Sequence, residues 1–197
     1  MEVKPIIVDS NIEMEAAILQ NPSMPAPQEV LDELSLLTVA YFGFDQKIHQ
    51  GQIVVHKKVA QDVALFFEEA LRLQFPIEKV IPIATPKYAW DDNVSCDDNN
   101  SSGYNFRYIG GTTRMSKHAR GLAFDINPVQ NPYIKYDENV NELWRAPKGS
   151  SYDERAPGTL YVGHPLVTLL KEKGWEWGGD WAKEGGRIDY QHFEFDL

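Results

Sequence analysis

The chain has 197 residues, 43% of them hydrophobic and 12% aromatic, which suits one domain with a core of its own. Nineteen basic against 29 acidic residues leave a net charge of −10, the reverse of a nucleic-acid footprint and unfavourable at an anionic lipid surface. A single cysteine, Cys96, excludes an internal disulfide framework and a multi-cysteine zinc knuckle.

Residues 1–28 read as a proline-rich arm with Pro5, Pro22, Pro25 and Pro27 and no sustained periodicity, expected to be a loosely ordered lead-in. The first twenty residues lack the basic-then-apolar build of a signal peptide. No apolar run approaches the ~18 residues needed to span a bilayer. The domain proper is expected over 29–197.

Leu36 to Phe44 and Gln52 to His56 are rich in β-branched and aromatic residues and predict a hairpin with a longish loop. Val59, Val63, Phe66, Phe67, Ala70 and Leu71 recur at helical spacing and predict an amphipathic helix over 57–73, stopped before Pro76. A short strand follows over 79–83. The polar run from Thr85 to Lys117 has little regular pattern and suggests a functional loop. GLAFDIN (121–127) alternates like a strand, and a second loop rich in Asn, Pro and Tyr is expected to reach Gly163. Pro165 to Lys173 predicts a helix with Pro in its first turn and Gly174 as its stop. GWEWGGDW and a final extended run, IDYQHFEF, complete a chain of mixed helices and strands, so the fold class is α+β.

Two of the five histidines sit in distinctive surroundings. SKHARGLAFD carries His118 and Asp125, and DYQHFE carries Asp189 three residues before His192. Two imidazoles and a carboxylate make three ligands for a tetrahedral zinc with a fourth position left open. Such a site acidifies water and polarises a carbonyl. Strand parity sends Leu122, Phe124 and Ile126 to one face and Ala123, Asp125 and Asn127 to the other. His118 then needs a bend to meet Asp125, which Gly121 can supply. Asp189 and His192 also differ in parity, so either a turn precedes His192 or Asp189 faces the water from a loop without being a ligand. On spacing alone, a surface histidine and a structural aspartate explain the first pair equally well.

Ser116-Lys-His118-Ala-Arg-Gly121-Leu-Ala-Phe-Asp125 resembles the S-x-H-x-x-G-x-A-x-D signature of the M15 zinc peptidases, and Asp189-Tyr-Gln-His192-Phe resembles their second signature. The upstream NNSSGYNFR is similar to the segment that supplies the family's substrate-facing arginine, here Arg107. GWEWGGDW fits the carboxypeptidase-like subgroup. The resemblance covers roughly 36–195. It implies a single α+β domain, a small antiparallel sheet with flanking helices and long loops around a zinc cleft. It also implies Zn2+ bound by His118, Asp125 and His192. Asp189 would take the proton from the activated water and pass it to the leaving amine, or else only orient a histidine. Arg107 would stabilise the oxyanion. Many relatives have Glu where this chain has Asp189, one methylene shorter.

The implied activity is D-Ala-D-Ala carboxypeptidase action on peptidoglycan stem peptides. An L-alanyl-D-glutamate endopeptidase and a non-catalytic cell-wall-binding zinc module are the rivals. The substrate implies export to the periplasm or cell surface. Ser116 would bind a substrate carboxylate or cap the turn, and Trp181 is the tryptophan expected in the cleft, with Trp175 and Trp177 as core or cleft. His164 is expected to cap a helix, His49 to sit in a hairpin loop and His56 to precede the long helix. Asp91, Asp92, Asp97 and Asp98 read as a solvated acidic loop, since their spacing is not that of a calcium loop. Cys96 has no basic neighbour to make it reactive. Oligomeric state cannot be read.

Overall fold

The computed structural model describes residues 6–182 and 185–197. Its elements in chain order are β1 (Ile7–Val8), α1 (Met14–Ala17), α2 (Gln28–Leu31), β2 (Leu34–Phe42), β3 (Ile48–His56), α3 (Ala60–Arg72), β4 (Lys79–Val80), α4 (Asp92–Asp97) and β5 (Asn100–Ser101). They continue with β6 (Ala123–Asp125), β7 (Tyr133–Tyr136), β8 (Glu142–Ala146), α5 (Pro165–Lys171), β9 (Glu176–Trp177), β10 (Arg187–Asp189) and β11 (His192–Glu194). The fold is α+β, built on small sheets rather than one. Three sheets have three strands, in the orders β1-β3-β2, β10-β7-β8 and β6-β11-β9, and β4 pairs with β5.

The β2–β3 hairpin forms as expected, with nine paired positions from Leu34↔His56 to Phe42↔Ile48. Residues 60–72 form the amphipathic helix. Val63, Phe66, Phe67 and Ala70 of α3 are buried against Val39, Tyr41, Ile53 and Val55 of the hairpin and Leu166, Val167 and Leu170 of α5. Phe66 also meets Phe124 of β6 and Phe193 of β11 edge-on, at centroid distances of 5.3 and 5.8 Å. Phe124 and Phe193 stack on each other at 5.3 Å. Burying each such ring is worth about 1.5–3 kcal/mol, so the short β6–β11 ladder is held chiefly by its core face.

Several expectations need correction. The stretch between Asn127 and Gly163 is not all loop, because β7 and β8 form an antiparallel hairpin within it. Its strands are short and half-exposed, so they lack the apolar alternation that marks a strand in sequence. The final extended run is two strands, β10 and β11, broken by a turn at Tyr190 and Gln191. The arm is also less loose than expected, although residues 1–5 lie outside the described residues. β1 adds to β3 in parallel, and Ala17 and Ala26 are buried with Leu31, Leu34, Val54 and Tyr104 in a second apolar cluster.

His49 accounts for part of that attachment. It lies on β3 rather than in the hairpin loop, where its Nδ1 is 2.8 Å from Asp9 of the arm and its Nε2 3.0 Å from Asp45. The Tyr41 hydroxyl donates to the same Asp9, and its ring stacks on His49 at 5.4 Å. A Cβ on Gly43 would come within 2.7 Å of both Asp45 and His49, so only glycine lets the turn close over the imidazole. Burial alone would lower the His49 pKa, but the hydrogen bonds its ring donates to Asp45 and Asp9, and their charges, hold it above the ordinary imidazole value.

A raised folded value stabilises fully below the unfolded value of about 6.5, and the contribution is lost as pH rises on through the higher folded value. On the acid side Asp45, lowered to about 2 mainly by its hydrogen bond to His49, keeps its part until the pH falls through that value. His49→Gln should therefore lower the urea midpoint more at about pH 5.5 than at about pH 9. An equal loss at both would show that the imidazolium is not what ties the arm down.

Candidate metal centre

His118 lies on a 3₁₀ turn, Lys117–Arg120, that Ser116 caps by accepting from the His118 N–H at 3.2 Å. Gly121 ends the turn in the left-handed region, φ 66°, and its carbonyl accepts from the His56 N–H at 2.8 Å. A Cβ there would sit 2.6 Å from that same nitrogen, so the bend that brings His118 round to Asp125 needs glycine. Asp125 and His192 are direct cross-strand partners on β6 and β11, beside the core pair Phe124 and Phe193. Period-two alternation turns the aromatic pair inward and the ligand pair to the opposite face.

The three side chains converge. His118 Nε2 is 3.1 Å from His192 Nδ1 and 3.2 Å from Asp125 Oδ2, and His192 Nδ1 is 3.0 Å from Asp125 Oδ1. All three residues are buried, at 3–6% exposure. Edges of this length approach the roughly 3.3 Å edge of a tetrahedron with metal–ligand bonds of about 2.0–2.1 Å. The other ring nitrogens are occupied. His118 Nδ1 donates to the Gly103 carbonyl at 2.7 Å, and His192 Nε2 donates to Glu194 at 2.9 Å. Each imidazole is thus held in the tautomer that turns a lone pair toward the shared point. Burial alone would raise the Asp125 pKa, but the two imidazoles hold its carboxyl far below the usual carboxylate range. Two nitrogens and an anionic oxygen, aimed at one point, fit a divalent cation with an open position.

Asp189 ends β10, and the Tyr190–Gln191 turn separates it from His192. Its Oδ1 is shielded from solvent and has no hydrogen-bond partner among the described residues. Burial lifts its pKa to about 6, with Asp125 adding to the rise and His192 opposing it. A carboxyl in that range accepts and returns a proton near neutral pH. The backbone of Gly178 packs directly on it, for a Cβ there would fall 2.4 Å from the Asp189 carbonyl oxygen.

Arg107 comes beside this centre through its backbone, its carbonyl accepting from the Ser116 N–H at 3.1 Å. One terminal nitrogen pairs with Asp92 at 3.0 Å, while Nε is buried with no partner among the described residues. Trp181 stands 5.5 Å from the His192 ring. Trp175 and Trp177 are core residues, 3% and 1% exposed. His164 and His56 cap their helices, accepting from the Leu166 and Lys58 N–H groups. The acidic loop is partly an ordered helix, α4, in which Asp98 binds Lys79 and Tyr88 and Asp92 binds Arg107. Burial pushes the Cys96 thiol well up, with Asp92, Asp125 and Asp189 adding, so it lies amid the site's charges as a protonated bystander.

Sequence reasoning missed Glu194, Gly103 and Gly178. Glu194 was legible, since it stands two residues beyond His192 and so on the same strand face. Gly103 and Gly178 act through backbone approach, which leaves no mark at the level of residue pattern.

Such a centre has the donor set and spacing to hold a divalent cation. Residues 110–195 match the family model described as D-alanyl-D-alanine carboxypeptidase. The matched segment is similar to that family over less than half of the chain, and it contains His118, Asp125, Asp189 and His192. No curated protein and no solved structure matches the chain. Among the described residues no helix is long and apolar enough to cross a membrane.

The grip of Glu194 on His192 makes a direct prediction. Glu194→Gln should weaken zinc affinity by about 10–100-fold in a chelator competition, with the fold retained. Unchanged affinity would mean that the carboxylate does not help orient the ligand.

Proposed function

We propose that the protein is a zinc peptidase that removes the terminal residue from peptidoglycan stem peptides ending in D-Ala-D-Ala. The observation that carries this reading is the convergence of His118, Asp125 and His192 beside a carboxyl, Asp189, raised toward neutrality. The family description of residues 110–195 supports the same reading.

Zinc at this centre supplies Lewis-acid activation of the scissile carbonyl and of water. Asp189 takes the proton of the attacking water and returns it to the leaving amine. Burial serves this role, because a carboxyl near pH 6 is basic enough to accept the proton and acidic enough to give it back. Arg107 directs donors at the developing oxyanion. Its ion pair with Asp92 fixes the guanidinium, and the unpartnered Nε remains able to donate. Ser116 holds the turn that carries His118, and Trp181 walls the cleft next to His192. The substrate places the enzyme's work in the periplasm or at the cell surface.

Asp189→Asn should retain a full equivalent of zinc while kcat falls by about 10²–10⁴. Turnover near the wild-type rate in that zinc-loaded variant would remove Asp189 from proton transfer. Gly178→Ala, which must push β10 away, should cost about 10²-fold in turnover at constant metal content. Digestion of purified muropeptides followed by mass spectrometry reads the bond. Loss of one D-Ala supports the proposal, an internal cut after L-Ala identifies an endopeptidase, and zinc-dependent binding without products identifies a binding module.

A further inference from the structure

The hairpin that sequence reading passed over makes a surface with Asp189 on it. On β10 and β7, Arg187 faces Lys135, Ile188 faces Ile134, and Asp189 faces Tyr133. Ile188 and Ile134 are buried, at 5% and 4% exposure, so the other face of the sheet is the open one. That open face carries Arg187, Lys135, Tyr133 and Asp189, and also Trp144, the β8 partner of Lys135. Tyr133 and Trp144 pack at 5.2 Å between ring centroids.

Two features set the cations apart. Like charges directly opposite on neighbouring strands destabilise a sheet, yet Lys135 and Arg187 are such a pair and form no ion pair among the described residues. In a chain of net charge −10, carboxylates to neutralise them were plentiful. The second feature is Trp181, whose ring lies 4.7 Å from the Arg187 guanidinium and 5.5 Å from the ring of the ligand His192. One aromatic side chain thus connects the cation pair to the metal centre and fixes where the guanidinium points.

We propose that Lys135 and Arg187 form an anion subsite that holds the free carboxylate of the acidic residue two positions N-terminal to the D-Ala bearing the scissile carbonyl, and not the C-terminal carboxylate that every such peptide carries. This deepens the peptidase reading and rests on it. Two strand positions separate Arg187 from Asp189, about 6.7 Å at the usual rise. An extended peptide covers that distance in about two residues. An anion between the two cations relieves their repulsion and accepts charge-assisted hydrogen bonds from both. The substrate class is accordingly an acidic stem peptide rather than a neutral D-alanyl-D-alanine dipeptide.

The test uses the zinc-loaded full chain and two synthetic probes, L-Ala-D-Glu-L-Lys-D-Ala-D-Ala and the same peptide with D-Gln in place of D-Glu. Both binding, by tryptophan fluorescence, and kcat/KM are measured. The wild type should favour the acidic peptide by at least about tenfold, the worth of one hydrogen bond to a charged group, with the difference mainly in KM. The double variant Lys135→Gln/Arg187→Gln should lose that preference, Arg187→Lys should retain part of it, and Lys148→Gln, in the exposed loop after β8, should retain all of it. Equal hydrolysis of both peptides by the wild type, or a preference that survives the double variant, overturns the subsite and leaves the peptidase reading standing. Preferential binding of the acidic peptide without hydrolysis, abolished in the double variant, sustains the subsite and overturns the peptidase reading. Neither binding nor hydrolysis of either probe overturns both.

Discussion

The centre depends on the alternation of side chains along one short antiparallel ladder. Phe124 and Phe193 face each other on the inner side of β6–β11, and Asp125 and His192 face each other on the outer side. The aromatic pair is locked by Phe66 and backed by Trp175 and Trp177. Because strand alternation is rigid, positioning the rings positions the ligands. A slip of register by one residue would bury a carboxylate and an imidazole in the aromatic core and turn the rings out. The accuracy needed for coordination is thus a by-product of hydrophobic packing.

The remaining groups approach that ladder through backbone contacts made possible by glycine. Gly121 turns the chain so that His118 comes in from a separate segment, and Gly103 offers its carbonyl to the His118 ring. Ser102 exchanges both backbone hydrogen bonds with Asp125, so the segment holding the first histidine is bonded to the strand bearing the aspartate. Gly178 allows the chain after β9 to press on Asp189. A buried cluster of two imidazoles and two carboxylates is costly unless its charges compensate one another. Here each imidazole is shared between a metal-facing carboxylate and an outer acceptor, and Asp189 meets the cost by a pKa raised toward neutrality.

Much of this was legible from the chain itself, where residue type and spacing carry the information. The alternation in GLAFDIN assigned Leu122, Phe124 and Ile126 to the core, and all three are in it. The parity mismatch at His118 required a bend, present at Gly121, and that at Asp189 left a turn or a loop position open, of which the turn at Tyr190–Gln191 is present. The β7–β8 hairpin was not legible, because only one of its side faces is buried and its strands carry Lys, Glu and Arg among their aromatics. The packed arm was also missed. Its attachment uses two strand residues, buried alanines and the Asp9–His49 contact, none of which yields periodicity.

The ladder, the Gly103 carbonyl and the Glu194 carboxylate have one property in common. Each is anchored by the protein's own core or backbone, so none of the supports that aim the three ligands runs through a cation. Aiming these side chains therefore needs no ion, unlike in a small zinc module, where the ion is the core. The geometry offered to an incoming ion is thus set before the ion arrives.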